Sequence, residues 1–136
     1  DALSRGLGDV YKRQKKYFEK GDPYHCYCHK TTRLITEKMS SKVPIMTTFQ
    51  SRFGPQEWLQ PYTDKTLEKL PKEGKKNILV ICPGFASDCV ETLEEISIEG
   101  KASFMDEGGE NFEFISCLND NEDHINLFSH LIQRYI

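Results

Sequence analysis

A chain of 136 residues with 38% hydrophobic content has room for one ordinary domain and can build a core without disulfide or metal staples. Its 18 basic and 21 acidic residues leave a net charge of −3, which excludes the clustered positive excess of a nucleic-acid-binding domain. No apolar run approaches the roughly 20 residues that span a bilayer, no secretory h-region is present, and five cysteines form no paired framework, so the chain reads as soluble and cytoplasmic with free thiols.

Residues 1–14, DALSRGLGDVYKRQ, combine two glycines with scattered charges and carry no periodicity, so they read as a non-native or disordered segment. From Lys15 onward, helical and strand patterns alternate at the spacing of βα units. The expected fold is therefore α/β, three layers around a mostly parallel sheet. Asp22-Pro23 supplies an N-cap with proline at the first helical position and predicts a helix over 22–39 with a loose apolar face of Tyr27, Leu34 and Ile35. The β-prone run Ile45 to Phe49 predicts a strand, followed by a turn-rich loop from Ser51 to Pro61. Thr63 and Asp64 open a short helix with Leu67 and Leu70 facing inward, ending before Pro71.

The continuous apolar run Asn77 to Cys82 predicts a strand covered on both faces. Pro83-Gly84-Phe85 turns the chain out of it, and Ser87 or Asp88 caps a helix with Val90, Leu93, Ile96 and Ile98 apolar. After the Gly108-Gly109 break comes a strand over Phe112 to Ser116. Asn119 or Asp120 then caps a last helix with Ile125, Phe128, Leu131 and Ile132 at helical spacing.

Three groups of residues could carry chemistry. Asp88, Glu91, Glu95 and Glu99 are spaced by three, four and four, which on an α-helix is one stripe. Closely spaced carboxylates repel one another unless they attract divalent cations, and a row of them can pass a hydrated ion along. The loop Gln50-Ser51-Arg52-Phe53-Gly54-Pro55-Gln56-Glu57-Trp58 places polar groups, a cation and the only tryptophan after an expected strand, a composition suited to a flat, partly charged ligand. The patch His25-Cys26-Tyr27-Cys28-His29 is read as structural or incidental, without the spacing of the common zinc sites and with Cys26 and Cys28 about 200° apart on a helix. His124 and His130 share no face and are poor catalytic candidates.

The stretches KKYFEKGDPYHCYCHKT, TTFQSRFGPQEWLQPYTDKTL, NILVICPGF and DCVETLEEI, in this order, resemble ferrochelatases of the bacterial protohaem type over residues 15–136. The resemblance implies two Rossmann-like lobes around a porphyrin cleft, this chain being part of the C-terminal lobe and the N-terminal lobe being its missing partner. It implies insertion of Fe²⁺, as substrate metal, into protoporphyrin IX, with no organic cofactor. The cysteine spacing argues weakly against an iron–sulfur cluster. On the same ground Glu91 is the carboxylate of the metal site, and Asp88, Glu95 and Glu99 shuttle protons or metal along the row. Gln50, Ser51, Trp58 and Phe85 would line the porphyrin cleft. The chain departs from the family at one decisive place: the motif that carries the histidine should put it at position 11, where Tyr11 stands, and a phenol with a reference pKa near 10 replaces an imidazole poorly. The expected consequence is an inactive fragment of an active parent. The alternatives are a non-catalytic tetrapyrrole- or metal-binding module, which the missing histidine favours, and a related tetrapyrrole chelatase.

Overall fold

Residues 13–39, 42–52 and 54–136 are described by the computed structural model, so the expectations for residues 1–12, Tyr11 among them, lie outside the described residues. The chain divides into two units, residues 1–66 and 67–136.

In the first, Lys15–Glu19 forms α1 and Tyr24–Met39 forms α2. The start of α2 follows from Asp22-Pro23: an Asp22 carboxylate oxygen accepts the Tyr24 N–H at 2.9 Å, and the Pro23 carbonyl accepts the Tyr27 N–H at 3.0 Å. The apolar face expected along α2 is not used. Tyr27 and Leu34 are exposed, Ile35 is half-buried, and the helix buries no residue.

The strand expected at 45–49 does not form. Only Phe49 pairs, donating its N–H to the Pro61 carbonyl at 2.9 Å and accepting the Thr63 N–H at 3.0 Å. A strand persists only where a neighbouring backbone takes up its hydrogen bonds, and residues 44–48 have no such ladder among the described residues. A second bridge joins Gln14 to Trp58: Lys15 donates to the Glu57 carbonyl at 2.9 Å and Leu59 to the Arg13 carbonyl at 2.8 Å. Arg13 and Gln14 are buried.

In the second unit, α3 (Thr63–Lys69, beginning in the first) leads to a 3₁₀ turn at Pro71–Glu73, β1 (Asn77–Ile81), α4 (Val90–Leu93), a π-helical segment Glu95–Gly100, α5 (Lys101–Asp106), β2 (Asn111–Ile115) and α6 (Glu122–Ile132). The β1 and β2 strands pair in parallel, with Asn77 opposite Asn111 and Ile81 opposite Ile115, so the fold is α/β with a small parallel sheet. Leu67, Cys82, Ile96, Phe104 and Phe112 form one core, against which Ile78, Val80 and Phe85 pack. Each such side chain contributes on the order of 1.5–3 kcal/mol by leaving water.

The strand expected to be covered on both faces is covered on one. Among the described residues Ile78 and Val80 meet the core while Leu79 and Ile81 are exposed, the alternation that the period of two in a strand produces. The last helix is capped by Asn121, which accepts the Asp123 N–H at 3.0 Å, and not by Asn119 or Asp120. Asn119 is engaged elsewhere, at φ 50°.

Candidate functional site

Leaving β1, the chain turns at Pro83 to Phe85 and reaches Asp88 before any helix begins. The expected start near Ser87 is displaced to Val90, with Cys89 as the extended N-cap residue, so Asp88 stands ahead of the helix and off its stripe. The reason is a hydrogen-bond network. The Asp88 carboxylate accepts from Asn119 Nδ2 at 2.8 Å, from the buried Thr92 hydroxyl at 2.9 Å and from the Cys117 N–H at 3.2 Å, and Asn119 Oδ1 in return accepts the Asp88 N–H at 2.8 Å. The Thr92 hydroxyl also accepts the Cys89 N–H at 3.0 Å. Hydrogen bonding, first from Asn119, holds the Asp88 carboxyl below the usual aspartate range. Asp88 thus ties the start of α4 to the loop after β2. Thr92 and Asn119 are essential to this arrangement and were not legible as site residues. Thr92 had a signal in its offset of four from Asp88, whereas Asn119 had none.

Glu91 lies in the first turn of α4, Glu95 opens the π-helical segment and Glu99 lies near its end. The Glu99 N–H bonds the Glu94 carbonyl, five residues back, at 2.9 Å. This wider turn alters the offset between Glu95 and Glu99, so the row is not a plain α-helical stripe. Glu91 and Glu95 are half-buried and Glu99 is exposed. Among the described residues no three His, Cys, Asp or Glu side chains converge to enclose a metal ion, so the carboxylates form an open row and not a cage.

The three thiols of this region, Cys82, Cys89 and Cys117, all have their pKa raised above the ordinary thiol value. Burial, then the neighbouring Glu91 carboxylate, pushes Cys89 up; burial and Asp88 push Cys117 to about 11; burial and Cys117 push Cys82 to about 12. Phe85 is half-buried on the core.

In the first unit, Gln50 Nε2 donates to the Ser51 hydroxyl at 3.3 Å, and the Gln50 carbonyl accepts from the Arg13 guanidinium at 3.0 Å. Ser51 adopts φ 61°, a left-handed conformation uncommon outside glycine that gives this loop a defined shape. Arg52 pairs with Asp64 and lies over the Tyr62 ring, 4.2 Å from its centroid. Trp58 is buried at 3% exposure, and its indole N–H finds no acceptor among the described residues. It anchors the loop and presents no open ring face.

The His25 to His29 patch differs most from its sequence reading, which overlooked that these two histidines are four residues apart. One turn of α2 brings their Nε2 atoms to 3.2 Å. His25 is pushed down from the usual histidine value by burial and then by His29.

A family model described as Ferrochelatase matches residues 14–136. The chain belongs to the ferrochelatase family. It is 58% identical to the ferrochelatase of Allorhizobium ampelinum over 121 residues, which cover 88% of this chain and 35% of that protein. With the ferrochelatase of Rhizobium meliloti it shares 56% identity over 129 residues, 94% of this chain and 38% of that protein. With that of Marinobacter nauticus it shares 56% over 119 residues, 87% of this chain and 32% of that protein. The chain spans about a third of the length of the curated ferrochelatases it matches. The family match reaches the residue before Lys15, where the sequence pattern changes. No helix among the described residues is long and apolar enough to cross a membrane.

Proposed function

We propose that this chain is the C-terminal lobe portion of a cytoplasmic ferrochelatase that inserts Fe²⁺ into protoporphyrin IX in haem biosynthesis. The observation that carries the reading is the family match across residues 14–136, which includes the whole carboxylate row. In the reaction two pyrrole N–H protons leave and Fe²⁺ enters the deprotonated ring, so the ring loses two protons as it gains one dication. Protein groups that accept protons and hold a hard or borderline cation must face the ring.

Glu91 supplies that carboxylate, from the first turn of a helix whose start is clamped by the Asp88 network. Its neighbours Glu95 and Glu99 take protons outward or pass metal inward along the open row, and Asp88 contributes by holding the row in place. Gln50, Ser51 and Phe85 contact the porphyrin, while Trp58 acts through the loop it anchors. The missing N-terminal lobe supplies the opposite wall. By the family resemblance, position 11, where Tyr11 stands, corresponds to the histidine of the family motif. No organic cofactor and no iron–sulfur cluster are invoked.

The test is an anaerobic assay of porphyrin fluorescence loss on addition of Fe²⁺. The parent with its N-terminal lobe and a histidine at position 11 turns over, this chain alone does not, and Glu91→Gln in the parent loses about 10²–10⁴-fold, the usual contribution of acid–base catalysis. Full activity in that variant removes Glu91 from its role. Porphyrin binding without turnover by the completed parent favours a non-catalytic tetrapyrrole-binding module, the reading that Tyr11 supports.

A further inference from the structure

The unit formed by residues 1–66 contains a pair of side chains that the proposed iron insertion does not use. His25 and His29 occupy successive turns of α2, and their Nε2 atoms meet at 3.2 Å. Two nitrogens bound to one tetrahedral Zn²⁺ at about 2.0–2.1 Å lie about 3.3–3.4 Å apart, and two at right angles on an octahedral ion lie about 3.0 Å apart. The observed separation falls between these values. The simplest alternative is a hydrogen bond from one ring to the other, which needs one Nε2 protonated and the other bare. A divalent cation instead takes both in the bare state.

The rings are also held. The His25 ring stacks on Phe49, with centroids 5.6 Å apart and planes inclined by 18°, and packs against Phe18 at 4.8 Å. His29 packs on His25 at 4.5 Å and on the edge of Phe49 at 6.2 Å. Phe49 is itself fixed by its backbone bridge to Tyr62 and is buried. A chelating pair whose rings are already oriented loses little freedom on binding metal. His29 is exposed, so water can complete the coordination sphere.

We propose that His25 and His29 form a two-imidazole site for a borderline divalent cation of the Zn²⁺, Ni²⁺ or Cu²⁺ class, separate from the carboxylate row. Imidazole donors select these ions over the hard Mg²⁺ and Ca²⁺, which favour oxygen. The site uses neither Glu91 nor any porphyrin contact, so it stands or falls independently of the proposed insertion reaction.

Nitrogen-15 NMR of the imidazole rings, on the full chain titrated with Zn²⁺ and separately with Mg²⁺, tests the site directly. The expected result is a joint shift of the His25 and His29 Nε2 resonances with a single dissociation constant for Zn²⁺, no response to Mg²⁺, and unmoved His124 and His130. In His29→Gln, a change at an exposed position, the affinity read on the His25 ring should fall about tenfold or more, since losing a second-shell partner of a metal ligand already costs that much. Rings that stay unshifted at millimolar Zn²⁺ overturn the site. So does a His25 ring that responds to Zn²⁺ with undiminished affinity in His29→Gln, or Zn²⁺ uptake that moves neither ring and is therefore held by thiols such as Cys26.

Discussion

Residues 67–136 and residues 13–66 are built on different principles. The second unit has a continuous apolar core in which Phe104 and Ile96 are nearly or completely withdrawn from water, with a parallel strand pair laid on it. The first has a long helix that buries nothing, two single-residue bridges, and side-chain links such as Thr32 to Thr47 at 2.6 Å and Thr63 to Thr48 at 2.8 Å. Hydrogen bonds contribute about 0.5–1.5 kcal/mol each net, whereas a buried large side chain contributes about 1.5–3 kcal/mol. The difference teaches that the carboxylate row rests on one continuous apolar core, whereas the Gln50–Trp58 loop is held by single bridges and side-chain hydrogen bonds around the separately buried Phe49, Trp58 and Leu59.

Cutting into that core should give the largest effect. Phe104→Ala removes a fully buried ring and is expected to destabilise the chain by about 3–5 kcal/mol in urea unfolding. A loss below about 1 kcal/mol would mean that the core can collapse around the hole. Next comes Gly109→Ala. A Cβ there would overlap the Phe104 ring, and overpacking of this kind costs about 1–3 kcal/mol.

Hydrogen exchange should sharpen the contrast itself. Amides of α2 are expected to exchange faster than those of β1 and β2, because α2 has no buried side chain to hold it when it opens. Equal protection would erase the distinction between the two regions.

Asp88 allows a test by pH. Its folded pKa lies below its unfolded value of about 3.9, so the stability it contributes is fully present above that value and is lost as pH falls through the lower folded pKa. The urea midpoints of the parent chain and Asp88→Asn should differ at neutral pH and converge under acid conditions. A gap independent of pH would assign the network to packing instead of charge.

The smallest effect is one of order in time. Exposed Cys26 should be alkylated first and Cys82, buried with its thiol pushed to about 12, last, as followed by mass spectrometry under native conditions. Early loss of Cys82 would show that the second unit opens readily.

Much of this molecule was legible in local sequence. Asp22-Pro23 announced the start of α2, the NILVI run announced β1, and four long motifs placed the chain in its family, because caps, apolar runs and motifs are short-range properties. The HxxxH offset at His25 and His29 was equally local and was overlooked.

Other features depended on distant partners. Whether Ile45 to Phe49 would form a strand turned on a neighbouring backbone that residues 44–48 do not find among the described residues. Asp88 was drawn off the acidic stripe by Asn119 and Cys117, about thirty positions away, and the same bonds took Asn119 from its expected place as the cap of α6. Periodicity shows which residues share a face of one helix or strand. A carboxylate's donors and a strand's neighbour are settled only when remote segments pack together, since a buried polar group takes whatever partner the fold brings within reach.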